Sequence, residues 1–168
     1  MGQVRDFIIG RIPIYQQILR GSCFALGLSA AFYLGVQCLP DQDFTEQEKD
    51  TLTQMFKDSI DIDDINYNRS SAGELVLNAF NASGTTIGKT VIMRQYMPRY
   101  SEYYNYVLVH EAAHIWQSQN CHLSFFSNTY DEAIHLLDDA IDMYKYHLDA
   151  DKDLLDYNHE AQASIIAD

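Results

Sequence analysis

A chain of 168 residues suits one domain and is long enough to bury a real core. Its formal charge of −13, from 24 acidic against 11 basic residues, argues against nucleic acid or an anionic membrane surface as the main partner of the folded part. A hydrophobic share of 47% with 12 tyrosines argues against a disordered chain, while Cys23, Cys38 and Cys121 form neither a disulfide framework nor a metal spacing.

The first stretch, VRDFIIGRIPIYQQILR, reads as an amphipathic helix interrupted at Pro13. Residues 1–40 carry a net charge of +2, from Arg5, Arg11 and Arg20 against Asp6, whereas the remainder carries −15. Between Arg20 and Asp41, GSCFALGLSAAFYLGVQCLP is uncharged, and about 20 apolar residues cross a bilayer as a helix. The arginines on its N-terminal side orient the start in the cytoplasm and the acidic part outside. Residues 1–40 thus read as an N-terminal helical segment whose run at 21–40 is an uncleaved signal-anchor, able to associate with a membrane. Gly21, Gly27, Gly35 and Gln37 dilute that signal, so a cleaved signal peptide and a buried core helix stand as alternatives.

Residues 41–168 form the second part. Thr45 stands three before Glu48 as in a capping box, and Leu52, Met55, Phe56 and Ile60 follow at helical spacing, which predicts a helix over about 45–58. Between 61 and 100, DINYN, GELVLNAF and TTIGKTVIMRQY are short, alternating and broken by Asn, Ser and Gly, and read as two or three strands of a small antiparallel or mixed sheet. From Ser101 the pattern is helical again, with helices expected over about 102–119, 129–147 and 153–167. Helix, small sheet, then helices is the order of an α+β domain.

The helix expected from 102 contains His110-Glu111-Ala112-Ala113-His114. Residues four apart on a helix share a face, so both imidazoles can reach one ion, while Glu111 can reach a water on that ion without being a ligand. Such a constellation suits zinc, with the carboxylate taking a proton as water attacks a carbonyl. Val107, Leu108, Val109, Ala112, Ala113, Ile115 and Trp116 leave the motif residues nearly the only polar groups over three turns. Polar groups in such a setting need partners.

Zinc needs a third protein ligand. A histidine six residues after His114 and a glycine three after it would give the metzincin form, but those positions hold Asn120 and Gln117. His122 falls two residues late and reads as a loop histidine. Glu160, in LLDYNHEAQASIIAD, lies 46 residues after His114 among Ala161, Ala163, Ile165, Ile166 and Ala167. It reads as the third ligand, with a solvated helix glutamate as the alternative, and its neighbour His159 would point about 100° away. Asp149, Asp151, Asp153 and Glu160 also match calcium-loop positions, but Leu154 stands where the sharp turn needs glycine. Tyr144, Tyr146, Tyr157 and His147 are candidates for stabilising an oxyanion.

HEAAHIWQSQ resembles the HExxHxxQ signature of the peptidase-like core domain of extracellular contractile injection systems. It is closer still to metallopeptidase-like proteins encoded with type VI secretion VgrG spikes, whose motif reads roughly HELTHVWQ. FTEQEKDTLTQMFKDSIDIDDINYN and YKYHLDADKDLLDYNHEAQASIIAD are similar to that family's upstream and closing segments, so the resemblance covers about residues 44–168. It departs at Ala112-Ala113, for the usual Leu-Thr, and at Lys57, where the family often has glycine.

The resemblance implies a zincin-like fold with His110, His114 and Glu160 as Zn2+ ligands and Glu111 as general base. The expected activity is zinc-dependent peptide-bond hydrolysis on a peptide or protein substrate, with a secretion-system or immunity-type protein as a further partner. The expected location is a bacterial membrane anchor with the domain outside the cytoplasm, or secretion; the alternative is the cytoplasm before export. A non-catalytic zincin-like scaffold is the competing function.

Overall fold

The computed structural model describes residues 31–120 and 144–168. The expectations for the helix interrupted at Pro13, most of the apolar run, His122 and most of the helix over 129–147 lie outside the described residues. The chain divides into two units, 1–35 and 36–168, and the fold described here belongs to the second. Residues 31–37 are helical, and among the described residues no helix is long and apolar enough to cross a membrane.

Helix α1, Glu46–Phe56, starts where the Thr45 hydroxyl accepts from the Glu48 N–H while the Glu48 carboxylate accepts from the Thr45 N–H. This reciprocal pair satisfies donors that the helix itself leaves open. Leu52 and Phe56 face the core from it. The helix ends at Lys57, whose φ of 51° stops α-helical propagation. Strand β1, Asn66–Asn68, follows two single 3-10 turns at Lys57–Ser59 and Ile62–Asp64.

GELVLNAF is helical rather than extended. Helix α2 spans Ser71–Phe80, opened by the Ser70 hydroxyl accepting from Gly73 N–H and closed by Asn81 in the left-handed region. The apolar run Leu75-Val76-Leu77 fits either period, and the caps at its two ends decide for the helix. Gly73 and Leu77, four apart, are its buried positions, whereas Leu75 is exposed.

TTIGKTVIMRQY, expected to be extended, forms a hairpin of β2 (Gly84–Ile87) and β3 (Thr90–Met93). Gly88, at φ 63°, occupies the first of the two turn positions, which glycine-first hairpin turns require. The sheet order is β1-β3-β2, with β1 parallel and β2 antiparallel to β3, so the α+β sheet is mixed.

Helix α3, Glu102–Gln119, coincides with the expected element and is capped by Ser101. Val107, Leu108, Val109, Ala112, Ala113 and Ile115 are all buried on it, the pattern of a helix enclosed by its surroundings. Leu52, Tyr67, Val91, Met93, Leu108, Ala112 and Ala163 join α1, the sheet, α3 and the last helix in one core.

The expected helix over about 153–167 is broken. Leu154–Asp156 is a single 3-10 turn, Tyr157 is extended, and helix α4 begins at His159 and runs to Ala167. Asn158 starts it anew by accepting from the Ala161 N–H at 2.8 Å. Residues 144–147, the end of the expected 129–147 helix, are turn and irregular backbone.

Candidate metal centre

His110, Glu111 and His114 share the middle of α3, where the core sequence buries them. All three are at most 9% exposed, as is Glu160 on the first turn of α4. The Nε2 atoms of His110 and His114 lie 3.2 and 3.5 Å from Glu160 Oε2. These three side chains offer ligand atoms that all fall within 4.8 Å of one another, a buried group that could hold a metal ion. The helix period places the histidines, and the cap at Asn158 sets where Glu160 meets them.

Burial and charge act against each other here. Burial alone would lower the His114 pKa, but the Glu160 carboxylate overrides it and raises it to about 9. Burial would raise Glu160, yet His114 and His110 hold its carboxyl well below the usual range. Burial pushes the Glu111 carboxyl upward despite the opposing pull of both histidines.

Glu111 does not join the three ligand-type atoms. Its Oε2 lies 2.9 Å from the Thr86 hydroxyl on β2, and that same hydroxyl is 2.9 Å from the Glu111 main-chain oxygen. A hydroxyl seated between these oxygens restrains the carboxylate's rotation. Gly84 lets the strand come close: a Cβ there would stand 2.6 Å from Val107 Cγ1 and 3.0 Å from Glu111 Cγ.

Behind His114, Gln117 is fully buried and its Oε1 lies 2.9 Å from His114 Nδ1. Its amide nitrogen reaches His159 O and Gln162 Oε1 on α4. The sequence singles out neither Thr86 nor Gly84, and it offers Gln117 and Gln162 only as parts of the resembled segments, with Gln117 also standing at the metzincin glycine position. Thr86 and Gly84 lie some 25 residues before Glu111 in a hairpin, where no helical or strand period links them to it. For Gln117 a signal did exist: an amide three residues after His114, on a stretch otherwise apolar, lies on the same helix face.

The oxyanion candidates separate. Tyr157 hydroxyl donates to His147 O and accepts from Asp149 N–H, and Tyr146 hydroxyl donates to Asp168, so both serve the 144–168 segment. The Tyr144 ring lies 5.9 Å from that of His110, with Tyr106 stacked on the same imidazole at 6.1 Å. The His159 ring lies 6.4 Å from that of His114, edge to face, and His159 is not among the gathered ligand-type residues. The calcium-loop positions are not gathered: Asp149 accepts from Asp151 N–H, Asp156 from Asp153 N–H, and Glu160 faces the histidines.

Comparison with family models, with curated proteins and with solved structures returns no match to this chain.

Proposed function

We propose that the protein is a zinc-dependent metallopeptidase in which His110, His114 and Glu160 hold the ion and Glu111 is the general base. The observation that carries this reading is the meeting of Glu160 with both imidazoles beside a carboxylate that is itself no ligand. Two nitrogens and one oxygen are a donor set that zinc accepts, and three protein ligands leave a fourth position for chemistry. The histidine nitrogens lie 3.2 and 3.5 Å from Glu160 Oε2 and all three ligand-type atoms fall within 4.8 Å of one another, so these side chains would hold one such ion together.

Zinc held there supplies Lewis acidity toward a carbonyl oxygen and toward water. The chain supplies the rest. Glu111 takes the proton from the attacking water and passes it to the leaving amine, as one base-then-acid group does in amide hydrolysis. Thr86 keeps its carboxylate oriented. Tyr144, against His110, is the side chain of the four candidates best placed to donate to a developing oxyanion. The zincin-like fold, a peptide or protein substrate, and association with a secretion apparatus draw their support from the likeness of residues 44–168 to the injection-system and type VI families.

Glu111→Gln keeps the shape and removes the base. Peptide hydrolysis should fall at least about 100-fold while zinc stoichiometry stays the same. Retained activity would sink the role given to Glu111. The second reading, a non-catalytic scaffold with a structural metal, is favoured by the burial of all four residues to 9% exposure or less. Wild-type protein with bound zinc but no turnover on a broad peptide panel would decide for it.

A further inference from the structure

We infer that Gln117 is a positioning residue that sets the ring orientation and proton location of His114, and that two main-chain carbonyls of the α4 segment dictate how it does so. The inference rests on the metal reading above and concerns how the ligand is prepared.

The network can be solved from its ends. Tyr157 O and His159 O are carbonyl oxygens, which accept and never donate. Gln162 lies 2.7 Å from Tyr157 O through its Nε2, so its amide nitrogen must point there and its Oε1 must face Gln117. Gln117 then meets two acceptors, His159 O at 2.9 Å and Gln162 Oε1 at 3.1 Å, and only its NH2 group can satisfy both. Its Oε1 is thereby left to face His114 Nδ1 at 2.9 Å. An amide oxygen accepts only, so Nδ1 must carry a hydrogen, and Nε2 is the nitrogen left to offer its lone pair to an ion. That is the nitrogen 3.5 Å from Glu160 Oε2.

No other orientation of either amide leaves every group satisfied. Gln117 is fully buried and Gln162 is 8% exposed, so a wrongly turned amide would set two acceptors against each other with little access to water. The same atoms also bind α3 to the start of α4, next to Glu160. Gln117 thus orients one ligand and anchors the helix that delivers another. His110 is held differently: its Nδ1 is buried with no hydrogen-bond partner among the described residues, and Tyr106 stacks on its ring. The two imidazoles are therefore unequal, with His114 the prepared one.

The test uses the full chain loaded with zinc. A long-range proton–nitrogen correlation spectrum should place the His114 ring hydrogen on Nδ1, exchanging slowly with water. A hydrogen on Nε2 would overturn the inference. In Gln117→Met, zinc affinity read by chelator competition should fall roughly 10–100-fold, and the ring hydrogen should exchange faster. Gln162→Met should have a smaller effect in the same direction, because Gln117 keeps His159 O.

A role in packing alone would lower the melting temperature of the metal-free variants and leave both zinc affinity and ring-hydrogen exchange unmoved, which counts against the inference. Should Gln117→Met not fold, the wild-type spectrum decides by itself. Wild-type protein that takes up no zinc overturns the metal reading and this inference with it. Zinc uptake with unchanged affinity in a folded Gln117→Met overturns this inference alone.

Discussion

Lys57 closes α1 with φ 51° and ψ −126°, a conformation that side chains with a Cβ enter at a cost and glycine enters freely. Lys57→Gly should raise stability by about 1 kcal/mol, the relief of backbone strain exceeding the added freedom of the unfolded chain. Urea unfolding measures it, and a lower midpoint would contradict it. At the site, the His114–Glu160 pair gives the metal-free protein a signature in pH. The His114 pKa is raised from 6.5 to about 9, so its contribution is complete below 6.5 and is lost as pH rises through about 9. The Glu160 pKa is lowered from 4.5, so its contribution is complete above 4.5 and fades as pH falls. The pair therefore supports the metal-free fold most between those two unfolded values. The urea midpoint should be higher at pH 5.5 than at pH 9.5, and His114→Gln should flatten the alkaline decline. An unchanged slope in that variant would assign the decline to other groups.

The contact between β2 and α3 is made at element scale, and Gly84 is what permits it. A methyl group at that position would stand 2.6 Å from Val107 Cγ1 and 3.0 Å from Glu111 Cγ, so either these side chains or the strand must shift. Overpacking of this kind costs about 1–3 kcal/mol, and the same shift would loosen the Thr86 hold on Glu111. Gly84→Ala should therefore lower both the melting temperature and the turnover number, with zinc stoichiometry unchanged; full activity would show that the close approach is dispensable. Much at this scale was legible in advance. The apolar run between Ser101 and Asn120 gave the bounds of α3, and Thr45 with Glu48 gave the start of α1. Leu75-Val76-Leu77 suits two periods, and the tie over residues 73–80 is broken only by the Ser70 hydroxyl at one end and the left-handed backbone of Asn81 at the other. The apolar spacing from 153 is continuous and predicts one helix, yet Asn158 captures the Ala161 N–H and starts a new helix there.

In the 36–168 unit as a whole, the candidate centre joins two helices that are far apart in sequence, so an ion held by it would act as a cross-link. A ligand that binds only the folded state stabilises it by about 2.7 kcal/mol at a hundred times its dissociation constant. Zinc should raise the melting temperature of the chelated protein, and Glu160→Ala should abolish that rise along with most of the zinc uptake. A rise of equal size in Glu160→Ala would place the ion elsewhere. The sequence by itself determined what a local period can encode: one face of α3 carrying His110 and His114, and a glutamate at 160 amid small apolar residues. It could also discard the metzincin spacing, because that spacing lies within a single helix and its turn. Tertiary structure alone decided that Glu160 Oε2 comes within 3.5 Å of both imidazoles, that Thr86 restrains Glu111, and that Tyr157 O and His159 O orient two glutamines behind His114. Those contacts depend on how a hairpin and a restarted helix pack against α3. Packing of that kind is set by caps, close approaches and buried carbonyls spread along the chain, and no single periodicity records it.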